Sequence, residues 1–65
     1  MMNTESFKNA CINAGFGVYS IGPTTFAKKG VGKPIAQYTE GDTYAIAKGH
    51  AFTNPAALEA TLKNI

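Results

Sequence analysis

The sequence contains few of the side chains on which catalysis, metal binding and base-specific recognition depend. Its 65 residues include no arginine and no tryptophan, with one histidine, His50, and one cysteine, Cys11. A single histidine and a single cysteine cannot supply the clustered ligands of a metal site. Without arginine the chain also lacks the best bidentate ligand for guanine and phosphate. We therefore expect no enzymatic activity, no metal and no cofactor.

Charge is scarce as well. Charged residues make up 15% of the chain, well under the usual quarter, and the net charge is +2. So small an excess does not indicate a polyanionic partner, because nucleic-acid binding usually shows as clustered basic residues. The chain has neither a signal-peptide pattern at its start nor the ~20 consecutive apolar residues of a membrane span. We expect a cytoplasmic protein without membrane contact.

The length predicts a single domain over residues 1–65 with a small core. A monomer of this size buries only about 60% of the surface that its unfolded chain exposes. One cysteine cannot form an internal disulfide, so packing alone must hold the domain together. A small core with few surface charges favours a permanent protein partner or a homodimer, since either would bury further area.

A helix is predicted at each end of the chain. Residues 4–14 carry one apolar stripe at helical spacing, formed by Phe7, Ala10, Cys11 and Ala14. Asn3 or Thr4 is expected to cap this helix, and Cys11 is expected to be a buried, inert thiol. The second helix begins at Pro55 and places Leu58, Leu62 and Ile65 on its apolar stripe.

Between the helices, β-branched and aromatic residues separated by glycine predict three or four short strands. The predicted strands are 16–21, 24–28, 34–39 and 43–48. The last two flank the turn at residues 40–42 and form the clearest hairpin. His50 is expected in the bend before the final helix, where it has no adjacent nucleophile. The fold class is α+β, a two-layer domain in which both helices cover one face of an antiparallel meander.

The only lysine cluster lies between the second and third predicted strands, at Lys28, Lys29 and Lys33. With Gly30 and Gly32, these residues could bring backbone N–H groups close to an anion. The spacing is not that of a P-loop, and Pro34 keeps Lys33 extended. Two interpretations remain: a solvated hairpin tip whose lysines keep the sheet edge soluble, or a phosphate or nucleic-acid contact.

Three tyrosines, Tyr19, Tyr38 and Tyr44, are candidate interface residues, because the aromatic side chains of this region either fill the core or line an exposed sheet face. The order of one helix, three strands and one helix resembles the topology of double-stranded RNA-binding domains, and Gly22-Pro23 followed by Phe26 is similar to their Gly-Pro-x-x-x-x-Phe pattern. The lysines that grip phosphate in that family are absent from this final helix, so the resemblance implies topology alone.

These features favour a small non-enzymatic protein-interaction module that binds and occludes a macromolecular partner. Small accessory and inhibitor proteins of phages and mobile elements are similar in being short single domains without catalytic residues. The alternative is a nucleic-acid-binding protein that uses the loop from Lys28 to Lys33. The salt dependence of binding distinguishes the two, because phosphate contacts weaken steeply as ionic strength rises.

Overall fold

The computed structural model describes all 65 residues. It confirms the α+β class and the order of helix, antiparallel meander and helix, but the sheet has five strands instead of three or four. The elements in chain order are α1 (Thr4–Asn13), β1 (Gly17–Ile21), β2 (Thr24–Lys28), β3 (Ala36–Thr39), β4 (Ala45–Ala47), β5 (His50–Phe52) and α2 (Pro55–Lys63). Each strand pairs antiparallel with the next one along the chain.

The fifth strand arises from a tight turn that the sequence analysis did not recognise. Lys48 and Gly49 both adopt positive φ, 51° and 79°, which is the backbone of a type I′ hairpin turn. Ala47 consequently pairs with His50, so His50 begins a strand instead of lying in a bend. The sequence hides this turn because its first position is a lysine and not the usual asparagine or aspartate.

Helix α1 begins with a reciprocal cap. The Ser6 N–H donates to the Asn3 side-chain oxygen at 2.8 Å, and the Asn3 N–H donates to the Ser6 hydroxyl at 3.0 Å. These two bonds satisfy donors that the first helical turn would otherwise leave unpaired. Of the two predicted caps, Asn3 is therefore the one used.

Helix α2 starts at Pro55 behind an Asn54 cap, whose side chain accepts from the Ala56 N–H at 2.8 Å. On its surface Glu59 pairs with Lys63 at 3.1 Å and also accepts from the Asn13 side chain of α1 at 3.2 Å. The two helices thus lie side by side. Neither is long and apolar enough to cross a membrane.

The core lies between the helices and one face of the sheet. Leu58 and Leu62 of α2 are fully buried, as predicted, and so are Phe7 and Cys11 of α1. The sheet contributes mainly small residues to this core, namely Ala27, Ala36, Ala45 and Ala47. Small side chains let the helices approach the sheet closely, and they leave room for one large residue, Tyr38, whose ring stacks on Phe7 at 5.8 Å. Both helices therefore cover the same face, and the opposite face has no covering layer.

Candidate interaction surface

The sheet face turned away from the helices carries a row of mainly aromatic and aliphatic side chains. Strand pairing aligns one residue from each of the five strands into this row, which reads Tyr19, Phe26, Gln37, Ile46 and Ala51. Their neighbours along each strand point to the opposite face, on which the helices pack, because side chains alternate between the two faces. We define the outer face as these five residues together with Ile21, which alternation places on the same side as Tyr19.

An aromatic pair lies on the outer face beside the β1 edge of the sheet. The rings of Tyr19 and Phe26 stack across β1 and β2, with centroids 5.4 Å apart and planes 24° from parallel. The Lys28 ammonium lies 5.7 Å from the Tyr19 centroid, within cation–π distance. Each ring therefore has the other as a stacking partner, and Tyr19 also has Lys28 over it.

The rest of the outer face is partly apolar and carries no acid. Ile21 is 66% exposed and Tyr19 is 37% exposed, while Ile46 and Phe26 are half-buried. None of the five strands contains an aspartate or a glutamate. An exposed apolar area on a domain with so few charges is the usual mark of an interaction surface.

Four of the six lysines gather at one end of the sheet. Lys28 ends β2, and Lys29 and Lys33 lie in the β2–β3 connection. Lys48 lies beside this connection because its backbone N–H donates to the Ile35 carbonyl at 3.3 Å. We call these four residues the lysine end. Sequence reasoning found the first three and missed Lys48, because only the pairing of β3 with β4 brings it alongside.

The loop within the lysine end is open to solvent. Gly30 and Gly32 adopt positive φ, 72° and 127°, and Val31 between them is 98% exposed. The Lys29 ammonium lies 5.7 Å from the Phe16 ring centroid, and Lys33 is exposed. Lys29 and Lys33 are therefore open to solvent, whereas Lys28 is half-buried.

The opposite end of the sheet is acidic. Glu40 and Asp42 lie in the turn between β3 and β4, and with Glu5 they line an open depression of ≈ 610 Å³ beside the N-terminal residues. No group of three or more histidine, cysteine, aspartate or glutamate side chains is close enough to hold a metal ion. Three of the four carboxylates thus lie at the end of the sheet opposite the lysine end. Negative and positive charges are therefore separated along the direction of the strands.

The three candidate tyrosines differ in their exposure to solvent. Tyr19 lies on the outer face, and Tyr44 is 41% exposed just before β4. The expectation for Tyr38 is corrected, because only 3% of that residue is exposed and its hydroxyl donates to the Asp42 carbonyl at 2.6 Å. Tyr38 fills the space above the small residues of the sheet and has no surface to offer a partner.

The remaining chemical groups are isolated. Cys11 is completely buried, as predicted, and desolvation raises the pKa of its thiol to about 12. A thiol with so high a pKa is a poor nucleophile, because the thiolate is the reactive form. His50 is exposed on the edge strand β5.

No family model, curated protein or solved structure matches this chain.

Proposed function

We propose that this protein is a non-enzymatic interaction module that binds a protein partner with its outer face and occludes the surface it covers. The observation that carries the proposal is the stacked pair of Tyr19 and Phe26 on an uncovered sheet face that has no carboxylate. Aromatic residues with apolar neighbours are the typical anchors of protein interfaces.

The arrangement of the rings favours a protein over single-stranded nucleic acid. Single-strand binders lay aromatic rings open so that bases can stack on them. Here Tyr19 and Phe26 stack on each other, and Lys28 lies over Tyr19, so each ring already has a stacking partner. Rims and edges of rings instead suit packing against aliphatic side chains of a partner. The lysine end then complements an acidic border on that partner, which guides encounter and fixes orientation.

Capture of a partner protein from cell extract tests the proposal. The experiment compares a variant altered on the outer face with a variant altered elsewhere. The Ile46→Glu variant places a charge on this face, and Ile12→Glu places the same charge on α1, where Ile12 is 55% exposed. We expect a partner that wild type and Ile12→Glu both capture and that Ile46→Glu loses. Circular dichroism must show both variants folded. Equal capture by the two variants would refute the use of the outer face.

A second candidate, nucleic-acid binding, is favoured by one observation: Lys48 adds a fourth cation to the predicted lysine loop. Four phosphate contacts on a single strand would give a log–log salt slope of about −3, a loss of roughly fiftyfold between about 50 and 200 mM salt. Fluorescence anisotropy with a single-stranded oligonucleotide measures this directly. A steep slope that Lys33→Ala and Lys48→Ala both reduce would move the function to the lysine end.

A further inference from the structure

Strand β1 forms an open edge of the sheet. It pairs with β2 on one side and with no strand on the other, and four of its five residues are exposed. Edge strands of soluble proteins are usually guarded by charge, proline or a bulge, because their free backbone groups can pair with another chain. The segment Gly17–Ile21 has no charged residue and no proline, and its pairing with β2 runs without interruption. This edge is unguarded.

The backbone groups that point outward from this edge can be identified from the hairpin. Gly22 and Pro23 form a two-residue turn between the paired residues Ile21 and Thr24. In such a hairpin the flanking residues exchange backbone hydrogen bonds, and bonded and non-bonded pairs alternate from there. Ile21, Tyr19 and Gly17 therefore bond to β2. The N–H and C=O groups of Val18 and Ser20 point away from the sheet.

We infer that β1 pairs antiparallel with β1 of a second copy of this chain, with Tyr19 on the two-fold axis. In this register Val18 of each copy lies opposite Ser20 of the other, and the two residues exchange both backbone hydrogen bonds. All outward groups of β1 are then satisfied by the same four residues, two from each copy. The two five-stranded sheets become one continuous sheet of ten strands.

Gly17 gives independent support for this register. It is the only glycine whose φ is not positive, and a Cβ on it would meet its nearest neighbour at an ordinary 3.8 Å. Within one copy, neither the backbone conformation nor the available space requires glycine at position 17. In the dimer, Ile21 of the second copy lies directly opposite Gly17 and on the same face. A glycine leaves space for that isoleucine, which is 66% exposed in the single copy.

The side chains on the outer face suit a second copy better than an unrelated strand. Tyr19 of each copy meets its equivalent in a non-bonded pair, where side chains come closest, and the Tyr19–Phe26 stacks of the two copies join into one row of four rings. The two-fold axis also puts the lysine ends of the copies at opposite ends of the strands, so they do not repel. This inference depends on the edge of β1 and not on the partner proposed above.

A matched pair of variants tests the edge by its mass in solution. Ser20→Pro removes an outward N–H, a change that edge strands tolerate, and Ser20→Ala removes only the hydroxyl that bonds to Thr25 at 2.9 Å. We expect wild type and Ser20→Ala to have the dimer mass by light scattering at about 100 μM, above the Kd of a weak interface. Ser20→Pro should have the monomer mass with an unchanged circular dichroism spectrum. A monomeric wild type, or a folded Ser20→Pro dimer, would overturn the inference.

Disulfide trapping tests the register and does not require the proline variant to fold. Thiols introduced by Tyr19→Cys would face each other across the two-fold axis, at a separation that a disulfide can span. Those introduced by Ile21→Cys would lie about 14 Å apart, four residue steps along the strand, and could not join. The native Cys11 is buried in both variants.

We expect a covalent dimer of Tyr19→Cys on a non-reducing gel, formed at least about tenfold faster than that of Ile21→Cys because pairing raises the effective thiol concentration. Adding Ser20→Pro to Tyr19→Cys should abolish this difference. Equal rates for the two single variants, no covalent dimer of either, or a covalent dimer of Ile21→Cys alone would each overturn the register. If β1 instead pairs with a strand of another protein, neither variant would form a covalent dimer.

Discussion

Removal of the Leu62 side chain tests how the final helix is held. Helix α2 has nine residues, too few to be stable in water without tertiary contacts. Its two buried residues, Leu58 and Leu62, are both fully enclosed. The Leu62→Ala variant therefore removes one of only two core side chains of this helix, near its C-terminal end.

The stability lost in Leu62→Ala follows from the burial of the leucine side chain. A completely buried leucine contributes about 1.5–3 kcal/mol by transfer from water, and the cavity left by truncation brings the loss to about 2–5 kcal/mol. A domain of 65 residues at roughly 0.05–0.15 kcal/mol per residue has a total stability of about 3–10 kcal/mol. Leu62→Ala thus removes a large fraction of the stability, and at the upper end of the range it unfolds the domain.

Urea unfolding followed by far-UV circular dichroism measures this loss. With an m-value of about 1 kcal/mol/M, a loss of 2 kcal/mol lowers the midpoint by about 2 M. The neighbouring variant Lys63→Ala is the control, because Lys63 is 55% exposed and its ion pair with Glu59 lies at the surface, where such pairs add little to stability. Equal midpoints for Leu62→Ala and Lys63→Ala would refute the packing of α2 against the core.

Three further predictions concern buried polar groups. Cys11, with a pKa of about 12, should react with a thiol reagent far more slowly in the native protein than in urea, and equal rates would place it at the surface. Because the folded-state pKa of Cys11 is raised from 9.0, the contribution of this thiol to stability is complete below pH 9 and declines as the pH rises toward 12. Urea midpoints of wild type and Cys11→Ala, compared across this pH range, measure the decline. Tyr38→Phe should lower the free energy of unfolding by about 0.5–1.5 kcal/mol, because it removes the bond to the Asp42 carbonyl but keeps the ring on Phe7; an unchanged urea midpoint would contradict this.

The sequence by itself determined the elements whose signals are local. Strand β2 was predicted at its observed bounds, and the first helix was predicted to within one residue. The burial of Leu58, Leu62 and Cys11 also followed, because helical spacing fixes which residues share a face. The proline at the start of α2 and the hairpin around residues 40–42 are equally local signals, carried by residue types that favour one backbone conformation.

Only the tertiary structure decided which sheet residues are core and which are surface. Tyr19 and Tyr38 look alike in sequence, yet one lies on the outer face and the other is buried. An alternating strand has two equivalent faces until helices cover one of them, so neither composition nor spacing could distinguish these residues. Strand pairing likewise brought Lys48 to the lysine end and left the edge of β1 open. The candidate site is a product of register and layer packing, which are long-range properties that no short segment of this chain encodes.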